Sequence, residues 1–313
     1  MNQPYNIIFM GTPAFSVPTL QALHNSVHRL SLVVTRPDKP KGRGRQVVPP
    51  PVKIAAEQLG YNVLQPRSAK TAEFVETLER IAPDLLVVIA YGQILTPRVL
   101  EIPRYGSINV HASLLPRYRG PAPIQWAILN GDNETGITTM QMEAGLDTGD
   151  ILLTAKESIS QDDTAATLID RLAQLGAELL IKTLEAMRAD RLNPVPQDDS
   201  LATYAPMLKK SDGQIPWSKS AEQLAAFVRG MDPWPGAFTF LGEQRLKIFN
   251  ASPYPVKVNV LPGTVVESFP DELRVATGNG ELSIAEIQGA SGKRLKIKDF
   301  LHGHPIPPGT TFK

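Results

Sequence analysis

The run Leu85-Leu86-Val87-Val88-Ile89 has no polar residue at any position. A strand with one face in water alternates apolar and polar side chains, so an unbroken apolar run must be covered on both faces. Strand-like runs also occupy residues 6–10, 30–35, 62–64 and 107–111, and helical patterns fall between them at 17–25, 51–59, 71–81 and 123–129. The helix at 51–59 begins on proline, whose fixed φ suits a first helical position. Strands buried on both faces and separated by helices predict an α/β fold with a mostly parallel, Rossmann-like sheet. Residues 136–143 and 150–155 read as a strand pair, and about 164–188 as a long amphipathic helix.

Beyond that helix the texture changes. Asn193-Pro194-Val195-Pro196-Gln197-Asp198-Asp199-Ser200 is polar and proline-containing, as an interdomain linker is. A helix is expected over 220–229. From residue 237 short strand-like segments recur between Gly and Pro breaks, at 238–240, 246–249, 264–266, 273–275 and 282–284. That spacing predicts a small OB-like β-barrel. The expected division is a catalytic domain over 1–190, a linker over 191–206 and a barrel over 207–313.

Composition excludes more than it selects. The net charge of the 313 residues is +1, so no overall field points to a polyanion or a membrane. Residues 207–313 hold 13 Lys/Arg against 10 Asp/Glu, an excess too small to name a partner. The absence of cysteine removes disulfides, thiolate metal sites and a cysteine nucleophile. The amino terminus enters a strand-like run at once, unlike a signal or transit peptide, and no apolar stretch approaches ~20 residues. A cytoplasmic protein is the expectation.

Asn109 and His111 lie two residues apart at the end of the run 107–111. Alternate side chains of a strand share a face, so an amide and an imidazole project together from a carboxyl end, where open α/β sheets place ligands. Asp147, in Gly145-Leu146-Asp147-Thr148-Gly149-Asp150, could orient and charge that imidazole. The same residues also serve simply to satisfy loop backbone groups or to form a turn. Gly11-Thr12-Pro13 follows the first strand but belongs to no G-x-G-x-x-G or Gly-Lys-Ser/Thr pattern, so a tight strand-to-helix turn is expected there. His302 and His304 have no supporting His or Cys cluster and read as part of a terminal loop. The Asp232-Pro233-Trp234-Pro235-Gly236 segment reads as a packing corner.

Six basic residues (Arg36, Lys39, Lys41, Arg43, Arg45 and Lys53) and one acid fall between residues 36 and 53. They interrupt a βα connection that needs only a few residues. Clustered Arg and Lys on a glycine-containing loop suit a phosphate backbone, and a solvated basic loop is the alternative.

Taken together these segments resemble the methionyl-tRNA formyltransferase family, a branch of the folate-dependent formyltransferases. The resemblance spans nearly the whole chain: Phe9-Met10-Gly11-Thr12-Pro13, the basic loop, Asn109-Val110-His111-Ala112-Ser113-Leu114-Leu115-Pro116-Arg117-Tyr118-Arg119-Gly120, Pro121-Ala122-Pro123-Ile124-Gln125-Trp126, the Asp147 loop and the Asp232–Pro235 corner. The Asn-x-His-x-Ser-Leu-Leu-Pro run marks the folate-dependent enzymes as a group; the basic loop and the barrel narrow it to the tRNA branch. Ala112 and Tyr118 stand where other members carry glycine or tryptophan.

The resemblance implies formyl transfer from 10-formyltetrahydrofolate, as cosubstrate, to the α-amino group of methionyl initiator tRNA. It implies Asn109, His111 and Asp147 as the catalytic set, Ser113, Leu114, Leu115 and Pro116 as the folate-binding run, and Lys41, Arg43 and Arg45 as tRNA contacts. It calls for no metal, no membrane and a monomer. Two rivals stay open: an amino-sugar nucleotide formyltransferase sharing the first domain, and a non-catalytic tRNA- or folate-binding module.

Overall fold

The computed structural model describes residues 3–41, 44, 46–256, 259–289 and 292–313. They form two compact units, one of Met1–Pro123, Thr135–Ser158 and Ile169–Ala205, the other of Ile124–Glu134, Ile159–Leu168 and Pro206–Lys313.

Nine strands belong to the first part of the chain: β1 Asn6–Gly11, β2 Arg29–Val34, β3 Lys39–Lys41, β4 Gln46–Val48, β5 Val63–Leu64, β6 Leu85–Ile89, β7 Ser107–His111, β8 Glu134–Gln141 and β9 Ile151–Ser158. Seven form one sheet in the order β5-β2-β1-β6-β7-β8-β9. Pairing is parallel from β5 to β7, and β8 turns antiparallel against β7. The continuous apolar run is β6, buried at all five positions, at the centre of this sheet. Helices α1 Val17–His24, α2 Pro51–Gln58, α3 Ala72–Ile81, α4 Pro97–Leu100, α5 Pro123–Leu129 and α6 Ala165–Arg188 follow the strands. Most ends fall within one or two residues of the sequence expectation.

The chain leaves β1 toward β2 and β5, then returns to the other side of β1 for β6 and β7. Strand order therefore reverses between β1 and β6, the switch point at which open α/β sheets bind ligands. Gly176 of α6 lies against Val110, where an added Cβ would press on Val110 Cγ1 at 3.1 Å. That contact assigns Val110 to the α6 side of β7 and leaves Asn109 and His111 on the opposite face.

The segment read as a linker is not a free tether up to residue 205. Ile151 and Val195 exchange both backbone hydrogen bonds at 2.9 Å. Tyr204 forms a parallel bridge with Arg119, with Arg119 N donating to Thr203 O and Ala205 N to Arg119 O, both at 2.8 Å. A polar composition with two prolines signals an irregular backbone, but it does not say whether the chain's own sheet will take up that backbone's hydrogen bonds.

In the second unit, β10 Phe238–Leu241, β11 Gln244–Tyr254, β12 Val265–Ser268, β13 Leu273–Ala276 and β14 Glu281–Gln288 form an antiparallel sheet in the order β10-β11-β14-β13-β12, with β15 Leu295–Lys296 also paired to β14. The sheet is curled and its last residues bridge its edges. Phe240 and Lys313 exchange backbone hydrogen bonds on the β10 side, while Thr264 bridges Thr311 on the β12 side. Inside, buried Trp217 stacks on Phe312 and donates from Nε1 to Thr239 Oγ1 at 3.0 Å. Helix α7, Ala221–Met231, starts on a Ser220–Gln223 capping box that satisfies two orphan N–H groups. Gly230 of α7 meets Leu129 and the Gln125 carbonyl of α5 so closely that a Cβ would not fit at the present separation. The turn after α7 is closed by Gly236 N donating to Met231 O at 2.8 Å, yet Trp234 keeps its ring half in solvent, which corrects the packing-corner expectation for that side chain. Helix α8, Ile297–Gly303, follows β15. His302 meets Phe269 edge-on and His304, just past the helix, stacks on Phe300, so both rings pack on aromatic neighbours.

Candidate active site

The structure brings His111 and Asp147 together, with Nδ1 and Oδ2 3.6 Å apart. His111 is 6% exposed. Its other nitrogen, Nε2, lies 2.9 Å from the Tyr118 carbonyl. A carbonyl can only accept, so Nε2 is the donor there, and Nδ1 is the nitrogen that faces Asp147. The 3.6 Å separation exceeds a direct hydrogen bond and is within ion-pair distance. The same Asp147 oxygen accepts from Gly120 N at 2.8 Å. Asn109, two residues before His111 on the same face, is half-buried, and its side-chain amide has no hydrogen-bond partner among the described residues. A free amide beside a buried imidazole–carboxylate pair is a donor left available for a ligand.

The loop carrying Asp147 joins β8 to β9. Gln141 N donates to Asp150 O at 2.9 Å across its base, and Gly149 sits where any Cβ would collide with the Gln141 carbonyl. Asp147 itself has φ 52° and Tyr118 has φ 61°. Both are in the left-handed region, which costs non-glycine residues ~1–3 kcal/mol each and persists only where surrounding contacts over-determine it.

After β7 the chain makes a loop fixed by Thr138, a buried β8 residue. Its hydroxyl donates to Ser113 O at 2.7 Å and accepts from Leu115 N at 3.1 Å. Ser113 is fully buried and gives its own hydroxyl to Arg117 O at 2.6 Å. Leu115 is buried as well, whereas Leu114 and Pro116 are half-buried. Of the run Ser113, Leu114, Leu115 and Pro116, therefore, the second and fourth keep side-chain surface, and the first holds the loop.

Further polar residues complete the carboxyl edge at the switch point, and of these the sequence did not single out Ser16 or Tyr91. Thr12 Oγ1 donates to Tyr91 O and Ser16 Oγ to Ile89 O, both at 2.8 Å, and Arg36 Nη1 donates to Gly92 O at 2.7 Å. These bonds knit the loops after β1, β2 and β6. Gly11 allows the strand-to-helix turn expected there, since a Cβ would strike Ser16 and Phe9. Burial pushes the Tyr91 hydroxyl up to about 12, with Arg36 acting against it, and that hydroxyl has no hydrogen-bond partner among the described residues.

The basic loop is built on a short hairpin of β3 and β4. Asp38 at its foot accepts from Gln65 at 2.7 Å and pairs with Lys53 at 2.9 Å. The Gln65 hydrogen bond and then Lys53 hold its carboxyl below the usual range. Arg36 and Lys53 are thus engaged by the protein, and Lys39 is exposed. The side chain of Lys41, and Arg43 and Arg45, lie outside the described residues. Among the described residues no group of three His, Asp or Glu could hold a metal ion, and no helix is long and apolar enough to cross a membrane.

With this geometry in view, the comparisons are direct. The profile of the family described as "Formyl transferase" matches residues 5–184, and "Formyl transferase, C-terminal domain" matches residues 207–305. The chain belongs to the formyltransferase family. Among its relatives, the methionyl-tRNA formyltransferase of Citrifermentans bemidjiense is 51% identical over 97% of this chain and 95% of its own length, and that of Desulforamulus reducens 48% identical over 97% and 96%. Of solved structures, the N-formyltransferase from Helicobacter canadensis, in complex with folinic acid and dTDP-3-aminofucose, has a TM-score of 0.67 at 17% identity and covers 93% of this chain and 99% of its own. HypX from Aquifex aeolicus in complex with tetrahydrofolic acid has a TM-score of 0.64 at 18% identity, with 96% and 47% covered. At those identities the structures speak to the fold.

Proposed function

We infer that this chain transfers a formyl group from 10-formyltetrahydrofolate to the α-amino group of methionyl initiator tRNA. The observation that carries the chemistry is the unpaired Asn109 amide beside the His111–Asp147 pair at the carboxyl edge of a switch-point sheet. The end-to-end likeness to methionyl-tRNA formyltransferases supports the acceptor.

The folate supplies an activated formyl group. The amine attacks as the free base, a C–N bond forms at the formyl carbon, and the bond to the folate nitrogen breaks. The amine loses one proton and the departing nitrogen gains one, so the reaction balances without a further reactant. Asn109 donates its amide hydrogens to the formyl oxygen as negative charge develops; one preorganised donor of this kind contributes roughly 3–4 kcal/mol. His111, protonated at Nδ1, stabilises the same charge or returns a proton to the leaving nitrogen, and Asp147 holds that cation in place. The exposed surfaces of Leu114 and Pro116 are offered to the folate, with Ser113 and Leu115 shaping the loop beneath. Lys41, Arg43 and Arg45 meet the acceptor-stem phosphates, and a basic loop of this kind suits RNA ends, whose unpaired bases are accessible.

Incubation with 10-formyltetrahydrofolate and either methionyl initiator tRNA or an amino-sugar nucleotide tests this reading. Formylation of the tRNA is the expected outcome; formylation of the sugar alone overturns it.

A further inference from the structure

Both groups that orient the His111–Asp147 pair are backbone atoms of residues 118–120: the Tyr118 carbonyl on His111 Nε2 and the Gly120 N–H on Asp147 Oδ2. That short stretch is held from one side by residues 203–205. Thr203 Oγ1 accepts from Tyr118 N at 2.9 Å, Thr203 O accepts from Arg119 N, and Ala205 O accepts from Ala122 N. Gly120 has φ 113°, and an added Cβ would lie 3.0 Å from the Ala205 carbonyl. The strap thus runs close against the atoms that aim the reactive pair.

A second hold acts on Asp147 itself. Gln197 Nε2 donates to the carbonyls of Asp147 at 2.8 Å and Gly149 at 2.7 Å, on both sides of the left-handed residue's outgoing chain. Its Oε1 accepts from Arg119 Nε at 3.1 Å and Nη2 at 2.9 Å. The amide orientation is forced. Arg119 can only donate and the two carbonyls can only accept, so no flipped Gln197 satisfies both sides. Arg119 is 2% exposed, and its only carboxylate partner among the described residues is Asp199, 2.8 Å away and itself 82% exposed. A buried guanidinium is costly unless paired and fully bonded. Here it is held between an amide and a rim carboxylate, with its backbone hydrogen-bonded to the strap.

We propose that Gln197 and Arg119 are positioning residues for the His111–Asp147 pair, and that the segment 197–205 is a clamp holding the left-handed backbone of Tyr118 and Asp147 in its reactive setting. The proposal rests on the formyl-transfer reading of that pair. Neither residue touches the reacting atoms; each acts through Asp147 or the 118–120 backbone. Without the clamp, strained backbone at two points relaxes and the pair drifts by a fraction of its 3.6 Å spacing.

Gln197→Glu separates positioning from general stability. The carboxylate keeps an acceptor for Arg119 but loses both donors to the Asp147 and Gly149 carbonyls. Its kcat for formylation is expected to fall ~10–100-fold, the range for a misplacement of about 1 Å, while KM for folate and the thermal midpoint stay near wild type. Exchange of the Gly120 amide hydrogen is expected to quicken about tenfold as its bond to Asp147 opens more often. In an Asp147→Asn background the same substitution is expected to add no further loss of kcat, because its target is already gone. Arg119→Lys, which cannot grip Oε1 with two nitrogens, is expected to move the same readouts in the same direction. Unchanged kcat, full additivity with Asp147→Asn, or a wild-type Gly120 exchange rate each overturns the clamp. If the wild type formylates no acceptor, the formyl-transfer reading fails instead, and the Gly120 exchange rate alone decides the clamp.

Discussion

Two arginines show how differently the two units use a positive charge. Arg119 in the first unit is almost wholly buried and gives its guanidinium to a neutral amide and one exposed carboxylate. Arg274 in the second lies among Glu267 at 3.4 Å, Glu272 at 2.9 Å and Glu281 at 3.1 Å, over the ring of Tyr254. Arg294 repeats that pattern with Asp232 and Glu286 over Phe249. In the first unit charge sets the aim of a loop; in the second it ties neighbouring strands of a curled sheet. The barrel's excess of basic residues is therefore a poor measure of charge free to meet a phosphate, since these arginines already face carboxylates.

The comparison yields substitutions with separable outcomes. The largest effect is expected at Asp147→Asn, which keeps shape but removes the carboxylate facing His111: turnover falls at least ~100-fold, in line with acid–base contributions, with tRNA binding near wild type. Steady-state kinetics beside a tRNA-binding titration checks it, and unchanged turnover removes Asp147 from the mechanism. Arg274→Ala is expected to leave kcat intact but to cost about 2–4 kcal/mol of stability, because it strands the buried Glu281 carboxylate. Urea unfolding measures this. A loss of turnover without a loss of stability would erase the distinction between the two arginines. The smallest change is expected from Arg43→Ala: weaker tRNA binding, with a slope against log salt shallower by ~0.7–0.9 for one lost phosphate contact, and unaltered folate affinity. Loss of folate binding instead would place that loop at the wrong ligand.

The sheet was legible because burial writes itself into composition. β6 is apolar throughout, β7 runs 107–111 as its side chains require, and the α5 pattern begins on Pro123. That Asn109 and His111 share one strand face was legible from a spacing of two. The β3–β4 hairpin was not, since Lys39-Pro40-Lys41 and Gln46-Val47-Val48 carry no alternation of inside and outside, and β4 is exposed along its length. Helix α8 is only seven residues long, too short for a periodicity to declare itself. The strap was hidden for another reason. Its bonds join residues 48 to 85 positions apart through backbone groups and a few side chains, and nothing local in Gln197 or Thr203 reports on a partner so distant.

The strap also has a consequence for how pieces of this family can be recombined. A graft that replaces everything after residue 190 with another protein's carboxyl-terminal half would keep all seven sheet strands together with Asn109, His111 and Asp147. It would nonetheless discard Gln197, Thr203 and Ala205, whose hydrogen bonds reach Asp147, Tyr118 and Ala122. A graft joined after Ala205 retains them. For exchange of the carboxyl-terminal half, the seam lies at the end of the strap, seventeen residues beyond Arg188 at the end of α6.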